Sequence, residues 1–403
     1  MRVTRKHAYG AALCGAAMLV SACGSSSSGG NSSVGSSTAP STGSSSSSIN
    51  ITASSFTQDF SAMSQLAPLA AQGQGSVGVI LPDTTTSSRY TEFDAPLLTK
   101  AFTMAGLNAS QISIKNAQHS DSTFISDAQA MITNGATVLL IDPEDPGTGE
   151  TVAKYAAQHG VAVIDYDRIT AGSYYISFDN VEVGKLIGQG FASCAKDWNV
   201  TSPQIIEMAG DPTDNNATLF KQGYDSVIKA NPSWKVLATP PGTWDPPTAL
   251  TEFQQAYTAH SSANSAIIPN DENAAPIIHY LKGRGVKAKT FPITGQDATL
   301  DGLHNILDGY QCGTAYKPIF LEAQAAAAVA MFARAGQTPP SALVNGSTDN
   351  PNDNNKPMPS VLLTPEWVTT ANMGDTVVKD NFVTAKQLCT GSYAAECTAA
   401  GIS

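Results

Sequence analysis

Short apolar runs alternate with longer stretches of helical period along most of the chain. The runs at 77–81 (VGVIL), 138–141 (VLLI) and 161–164 (VAVI) each end against Pro or Asp, the pattern of parallel strands covered on both faces, and 112–117 reads as a further strand between the first two. Between them, 94–106, 122–135 and 151–159 carry helical spacing. They close at Gly106, Gly135 and Gly160, and Gly takes the left-handed turn at a helix end most easily. Asp94 is placed to cap the first of these helices. The order is βαβαβαβ, which predicts a doubly wound parallel sheet.

The scheme then repeats. A strand at 174–178 leads to helix 181–196, strand 204–208, helix 216–230, strand 236–238 and helix 248–260. Strand 266–268, helix 274–283, strand 291–294, helix 300–309 and a short strand at 313–316 follow. The Ala-rich helix 319–334 is expected to return to the first lobe, and a strand at 360–363 to cross once more. Residues 345–359 read as a loop rich in Asp, Asn and Pro, without the spacing of an EF-hand. The predicted fold is α/β, with two doubly wound lobes joined by a three-strand hinge. The first lobe takes 75–179 plus 317–343, the second 180–316 plus 344–403. A chain of 403 residues exceeds the ~250–300 at which one core stops growing, so two lobes are the natural division.

The front end is different. Residues 1–22 begin basic (Arg2, Arg5, Lys6), continue apolar and end Val20-Ser21-Ala22 before Cys23, the form of an exported lipoprotein's signal. Cys23 is the expected lipid attachment site, an ordinary secretory signal with an incidental Cys being the rival. Residues 23–74 hold a Ser/Gly-rich tether, too polar for a core, and a mildly amphipathic lead-in at 51–71 that reads as a helix. The expected location is the extracytoplasmic face of the cell membrane, held by lipid, because no segment reaches the ~20 apolar residues of a span.

Loss of residues 1–22 would move the formal charge from −11 to −14, since three basic and no acidic side chains leave. That balance argues against a nucleic-acid partner. Cys194, Cys312, Cys389 and Cys397 then remain, an even number that suggests disulfides in an exported chain. Three pairings are possible. Cys389 with Cys397 is the easiest, which would leave Cys194 for Cys312. With no CxxC and no adjacent His, a metal site is not expected.

Candidate chemistry gathers just beyond strand ends, where open α/β sheets bind ligands. Arg89 and Tyr90 follow the first strand, Asp167 and Arg168 the fourth, and Asp214, Asn215 and Asn216 follow 204–208. Trp244 comes after 236–238, Asn270 and Asp271 after 266–268, Gln296 and Asp297 after 291–294, and Lys317 after the last crossing strand. Asp and Asn also serve there as turn formers and helix caps. The set as a whole, with two Arg, a Lys and a Trp at one edge, points instead to a cleft for an uncharged polyol. Arg and Asp offer two-pronged partners to adjacent hydroxyls, Asn donates and accepts, and an aromatic ring covers a C–H face. Tyr174 and Tyr175 are expected under the hinge, and the scattered His119, His159, His260, His279 and His304 to be structural.

Catalysis finds no footing. GxGxxG, GxSxG and HExxH are absent. Asp167 and Asp214 could form a glycosidase pair, but Arg168 beside them favours ionised carboxylates, which suits no general acid. No cofactor is expected.

Several stretches, in order from about residue 75 to 382, resemble the sugar-binding lipoproteins of ABC importers, the type I periplasmic-binding-protein family, and most closely its D-xylose-binding branch. They are YDRI at 166–169, YYISFDN with VG at 174–184, GDPTDNNA at 210–217, NDENAA at 270–275, GQDA at 295–298, YKPI at 316–319, and LLTP with DTVVKDNF within 362–382. The resemblance implies a monosaccharide site lined by Arg89, Asp167, Arg168, Asn216, Trp244, Asn270, Asp297 and Lys317, with Asp214 beside them. It further implies a monomer whose sugar-closed form is read by ABC permease subunits. Tyr90 departs from the branch, where Trp is usual, and Trp244 sits in a looser context, TWDPPTA. Arabinose, glucose and galactose therefore stand beside xylose as ligands. A receptor feeding a sensor or chemotaxis system stands beside the importer. A regulator of this fold would need an N-terminal helix-turn-helix, and here a signal and tether take that place.

Overall fold

Val77, Val79, Ile80 and Leu81 are buried, as a strand covered on both faces requires, and they open the larger sheet. The structure is a computed structural model that describes residues 49–402, so the expected signal, Cys23 and the Ser/Gly tether lie outside it. After a short helix α1 (Ala67–Gln72), the first lobe runs β1 (Ser76–Leu81), α2 (Ala95–Met104), β2 (Ile112–Asn116), α3 (Asp121–Thr133), β3 (Ala136–Ile141), α4 (Pro146–Gln158), β4 (Ala162–Tyr166) and β5 (Tyr175–Phe178). These strands pair in parallel in the order β5-β4-β3-β1-β2.

The second lobe contains α5 (Asn180–Asp197), β6 (Gln204–Glu207), α6 (Asn215–Ala230), β7 (Lys235–Ala238), α7 (Pro246–Ala259), β8 (Ser265–Ile267), α8 (Asp271–Gly283), β9 (Gly295–Gln296), α9 (Leu300–Leu307) and β10 (Thr314–Tyr316). Its sheet comes in two pieces, β7-β6-β8 and β13-β10-β9, where β13 is Glu366–Val368. One bridge, Ala266 to Ile293, joins them. This is where the strand expected at 291–294 fails. Pro292 has no N–H to give a ladder, and the Thr294 hydroxyl stands in, accepting from the Ile268 N–H at 2.9 Å and donating to the Ile268 carbonyl at 3.0 Å. Regular pairing begins only at Gly295.

α10 (Ile319–Arg334) leaves β10 and packs on α2, β3, β4 and β5, with a run of Ala allowing close approach. The segment 345–359 is not a loop. It holds β11 (Gly346–Asn350), which pairs antiparallel with β12 (Lys356–Leu363), and β12 runs parallel to β5 from Ser360. Asn and Pro density reads as a loop, but Pro357 and Pro359 precede the point where β5 begins to pair, at an edge where a missing N–H costs nothing. The expectation that 344–403 belongs to the second lobe is corrected accordingly: through Leu363 the chain extends the first lobe's sheet, giving β11-β12-β5-β4-β3-β1-β2. The helix read at 51–71 is replaced by short turns ahead of α1, whose Ile51, Phe60, Met63 and Leu66 fill the core beneath α2 and α10. The remainder, including α11 (Ala385–Leu388) and α12 (Tyr393–Ala399), packs on α9.

The chain passes between lobes after β5, after β10 and after β12, and the three passages lie side by side: Asp179 N–H donates to the Leu363 carbonyl, and β10 pairs with β13. This is the type I periplasmic-binding-protein fold.

Disulfides join Cys194 to Cys312 and Cys389 to Cys397. The first staples α5 to the chain two residues ahead of β10 across a separation of 118 residues, so the unfolded chain is strongly constrained by it. Replacing both Cys194 and Cys312 by Ser is expected to lower stability by ~2–5 kcal/mol, read as a lower urea midpoint. The same change at Cys389 and Cys397, which closes a loop of separation 8, should cost less.

Candidate functional site

Two strand ends supply the core of the site. β4 stops at Tyr166, and the next residue, Asp167, takes a left-handed conformation (φ 60°) that turns its carboxylate inward. β9 stops at Gln296, and Asp297 does the same in the other lobe (φ 86°). Asp is one of the few residues that tolerate this region. The two acids face one another across a cavity lined also by Arg89, Tyr90, Arg168, Asp214, Asn216, Trp244, Asn270 and Lys317. All the residues expected from strand ends to bind ligand are thus brought together. Of the others named beside them, Gln296 joins the lining, whereas Asn215 and Asp271 do not.

Asp271 has a different task. Its fully buried carboxylate accepts from the Thr299 N–H (2.9 Å), Gln311 Nε2 (2.7 Å) and the Thr314 hydroxyl (3.1 Å), tying together the loops around β9. Burial pushes its pKa up to about 7, against those hydrogen bonds. Asp94 also departs from expectation. It caps no helix: the chain from Tyr90 to Asp94 forms a wide helical turn running into α2, and the Asp94 carboxylate binds Arg89 instead.

Charge in the lining is paired across the gap between lobes. Arg168 donates from Nη1 to Asp142 at 3.0 Å within its own lobe and from Nε to Asp214 at 3.2 Å in the other. Asp214 caps α6 through the Asn216 N–H (2.8 Å) and accepts from Trp244 Nε1 (3.0 Å). Gly210 permits this, since a β-carbon there would overlap the Trp244 indole. Asn216 is largely committed to the protein: Nδ2 donates to the Asp167 carbonyl (2.8 Å), while Oδ1 accepts from Asn180 Nδ2 (2.8 Å) and lies 2.8 Å from the Tyr175 hydroxyl. Tyr175 is fully buried there, under the first crossing as expected. Asn270 caps α8 through the Asn273 N–H (3.1 Å). The Tyr90 ring is buried beside Arg89 and Arg168, whose guanidinium carbons lie 5.5 and 5.8 Å from its centroid. Cations over a desolvated ring are favourable.

Burial works against the charge of Asp167, but Arg89, Lys317 and Arg168 outweigh it and hold its pKa below the ordinary carboxylate value. Lys317, also buried, is kept above the usual lysine value because Asp297 (3.0 Å) and Asp167 overcome desolvation. The lining therefore carries three cations (Arg89, Arg168, Lys317) against three carboxylates (Asp167, Asp214, Asp297). Several of their atoms remain unused. Arg89 Nη1, Asp167 Oδ1, Gln296 Oε1 and Asp297 Oδ1 are buried without a hydrogen bond of good geometry; the first two face each other only as an ion pair at 3.2 Å, Asp297 Oδ1 meets Lys317 Nζ only as an ion pair at 3.0 Å, and Gln296 Oε1 has no partner. Buried polar groups without partners are rare and mark a place for a polar molecule.

Thr86, Ser87 and Phe220 also line the cavity and were not singled out in the sequence. Phe220 lies one helical turn beyond Asn216, so the i, i+4 spacing could have found it. It meets Trp244 edge to face at 6.4 Å. The cavity is small, ≈ 380 Å³ even counting the part continuous with solvent. Outside it, Asp83, His119 and Glu144 bring potential ligand atoms within 4.8 Å of one another. Asp83 already accepts from the Thr85 and Thr86 N–H groups, and His119 Nδ1 pairs with Glu144 at 2.7 Å, which accounts for the group as a hydrogen-bonded turn.

Two parallel-sheet lobes with a polar cavity between the carboxyl ends of their strands define a two-lobed solute-binding protein. The model of the periplasmic binding protein domain matches residues 77–338, and the chain belongs to that family, which comprises binding proteins rather than enzymes. It is 35% identical over 282 residues to the D-xylose-binding periplasmic protein of Escherichia coli (strain K12), covering 68% of this chain and 81% of that one. It is 30% identical over 349 residues to the multiple sugar-binding periplasmic receptor ChvE of Rhizobium radiobacter, covering 80% and 95%. Among solved structures it is similar to an ABC transporter solute-binding protein from Clostridium phytofermentans with bound beta-D-glucose, with TM-score 0.67 and 25% identity, covering 77% of this chain and 99% of that one. Among the described residues no helix is long and apolar enough to cross a membrane.

Proposed function

We propose that this protein captures a monosaccharide, D-xylose foremost, between its lobes and delivers it to the permease of an ABC importer. The observation that carries the reading is the balanced lining: three cations and three carboxylates leave no net charge for a ligand to neutralise, yet several of their buried atoms lack a hydrogen bond of good geometry. A polyol supplies hydroxyls to both kinds of group and brings no charge. Ionised partners make hydrogen bonds stronger than neutral ones, so affinity does not require a charged ligand. Trp244, Phe220 and Tyr90 supply apolar faces for ring C–H groups. The limited volume favours one ring over a chain.

In this reading Arg89, Asp167, Arg168, Gln296, Asp297 and Lys317 bind hydroxyls directly, whereas Asp214, Asn216 and Asn270 shape the cavity through the bonds they already make. Sugar favours the closed form because both lobes contribute to its site. The mature chain works as a monomer, anchored by lipid on Cys23 at the extracytoplasmic face. The relatives named for D-xylose and for multiple sugars support a sugar ligand and leave arabinose, glucose and galactose as competitors. Calorimetric titration of residues 49–403 with these four sugars tests it. D-xylose should bind most tightly, and absence of heat from every sugar at millimolar concentration would overturn the proposal.

A further inference from the structure

Glu322 is fully buried in the first turn of α10, just past the crossing that carries Lys317, and it does not line the cavity. Its Oε2 accepts from Arg89 Nη2 at 2.6 Å, and its Oε1 has no partner. Asp94 takes the same edge of the guanidinium, accepting from Nε at 3.0 Å and Nη2 at 2.8 Å, and is itself held by the Tyr166 hydroxyl at 2.5 Å. Every N–H of Arg89 except those of Nη1 is therefore spoken for. Nη1 is the corner that stands beside Asp167, among the atoms left unused. A free Arg side chain loses ~1.5–2 kcal/mol of rotamer freedom when a ligand orders it, and a clamped one has lost it beforehand.

We propose that Glu322 is a positioning residue: from the helix leaving the hinge, it fixes the Arg89 guanidinium so that only Nη1 is presented to the ligand. This rests on the reading of the cavity as a sugar site. Six groups face Glu322: Arg89, Asp94 and Tyr166 from the clamp, Asp167 from the end of β4, Tyr175 from β5, and Lys317 from the crossing. Burial pushes the Glu322 carboxyl up to about 8; Arg89 and Lys317 oppose that, and Asp167 and Asp94 reinforce it. The folded value lies above the ordinary one, so the stability it contributes is present at acid pH and is lost as pH rises to about 8. An amide keeps the accepting oxygen and imitates the protonated form.

The test compares Glu322→Gln and Glu322→Ala with wild type in two measurements. In D-xylose titrations at pH 6.5, Glu322→Gln should stay within about threefold of wild-type affinity, since its amide oxygen still accepts from Nη2, whereas Glu322→Ala should lose about tenfold or more. In ligand-free melts from pH 5 to 9, the melting temperature of Glu322→Gln relative to wild type should climb up to pH 8 and then level, a signature that a merely space-filling residue does not give. Wild-type affinity in Glu322→Ala overturns the proposal. If wild type binds no sugar, the functional reading fails, while the melts still report on the clamp.

Discussion

Arg168→Ala should abolish the rise in melting temperature that D-xylose gives the wild-type protein. The guanidinium joins Asp142 of its own lobe to Asp214 of the other and lies against Tyr90 in the cavity lining, so its loss removes an interlobe tie and, on the proposed reading, a ligand contact together. Truncating one partner of a buried charge pair costs ~2–5 kcal/mol in binding, or ~30- to 4,000-fold in affinity. The fold should survive. Burial already pushes Asp142 well above the ordinary carboxylate value despite Arg168, so in the variant it can take up a proton instead of remaining an unpaired charge. Asp297→Ala should give the same loss of ligand response from the opposite lobe by releasing Lys317. A melting-temperature shift that persists in both variants would mean that the cavity is not the binding site.

Gly184→Ala should be the most damaging single methyl group in the second lobe. Helices α5 and α6 cross at Gly184 and Gly223, where a β-carbon on Gly184 would overlap the Phe220 carbonyl and one on Gly223 would overlap the Val181 carbonyl. Backbone atoms cannot turn aside as a side chain can, so the helices must part. The cost should reach or exceed the upper end of the ~1–3 kcal/mol usual for overpacking. Affinity should fall with it, because α6 carries Asn216 and Phe220 into the cavity. Gly283→Ala is the control: no atom lies within 4 Å of the added methyl, and a helical site should gain ~0.5–1 kcal/mol from Ala. Urea midpoints of the two variants on either side of wild type would bear this out; equal midpoints would not.

What could be read in advance was set by local chemistry. The run 161–164 could only be a covered strand, and α10, expected at 319–334, occupies Ile319–Arg334 because an unbroken Ala-rich stretch offers nothing else to the backbone. The cavity residues were legible because strand ends are marked by the same Asp, Asn and Arg that line it. Features that depend on tertiary context were not. Asp94 looks like a cap until Arg89 is seen to fold back on it. Residues 345–359 look like a loop until the edge of β5 is there to receive a hairpin. Glu322 lies inside a helix with no local sign that a guanidinium, 233 residues away in sequence, reaches it.

The left-handed backbone at Asp167 and Asp297 has an outcome for anyone improving this molecule. Each residue sits in a region that costs most side chains ~1–2 kcal/mol, and the buried ion pairs its carboxylate makes, Asp167 with Arg89 and Asp297 with Lys317, offset that. Gly would relieve that backbone cost but would leave Lys317, and at position 167 also Arg89, buried without its carboxylate, so heat resistance gains nothing from the exchange even with no sugar present. Thermostable biosensors made from this scaffold should hold those two positions constant and seek their gains elsewhere.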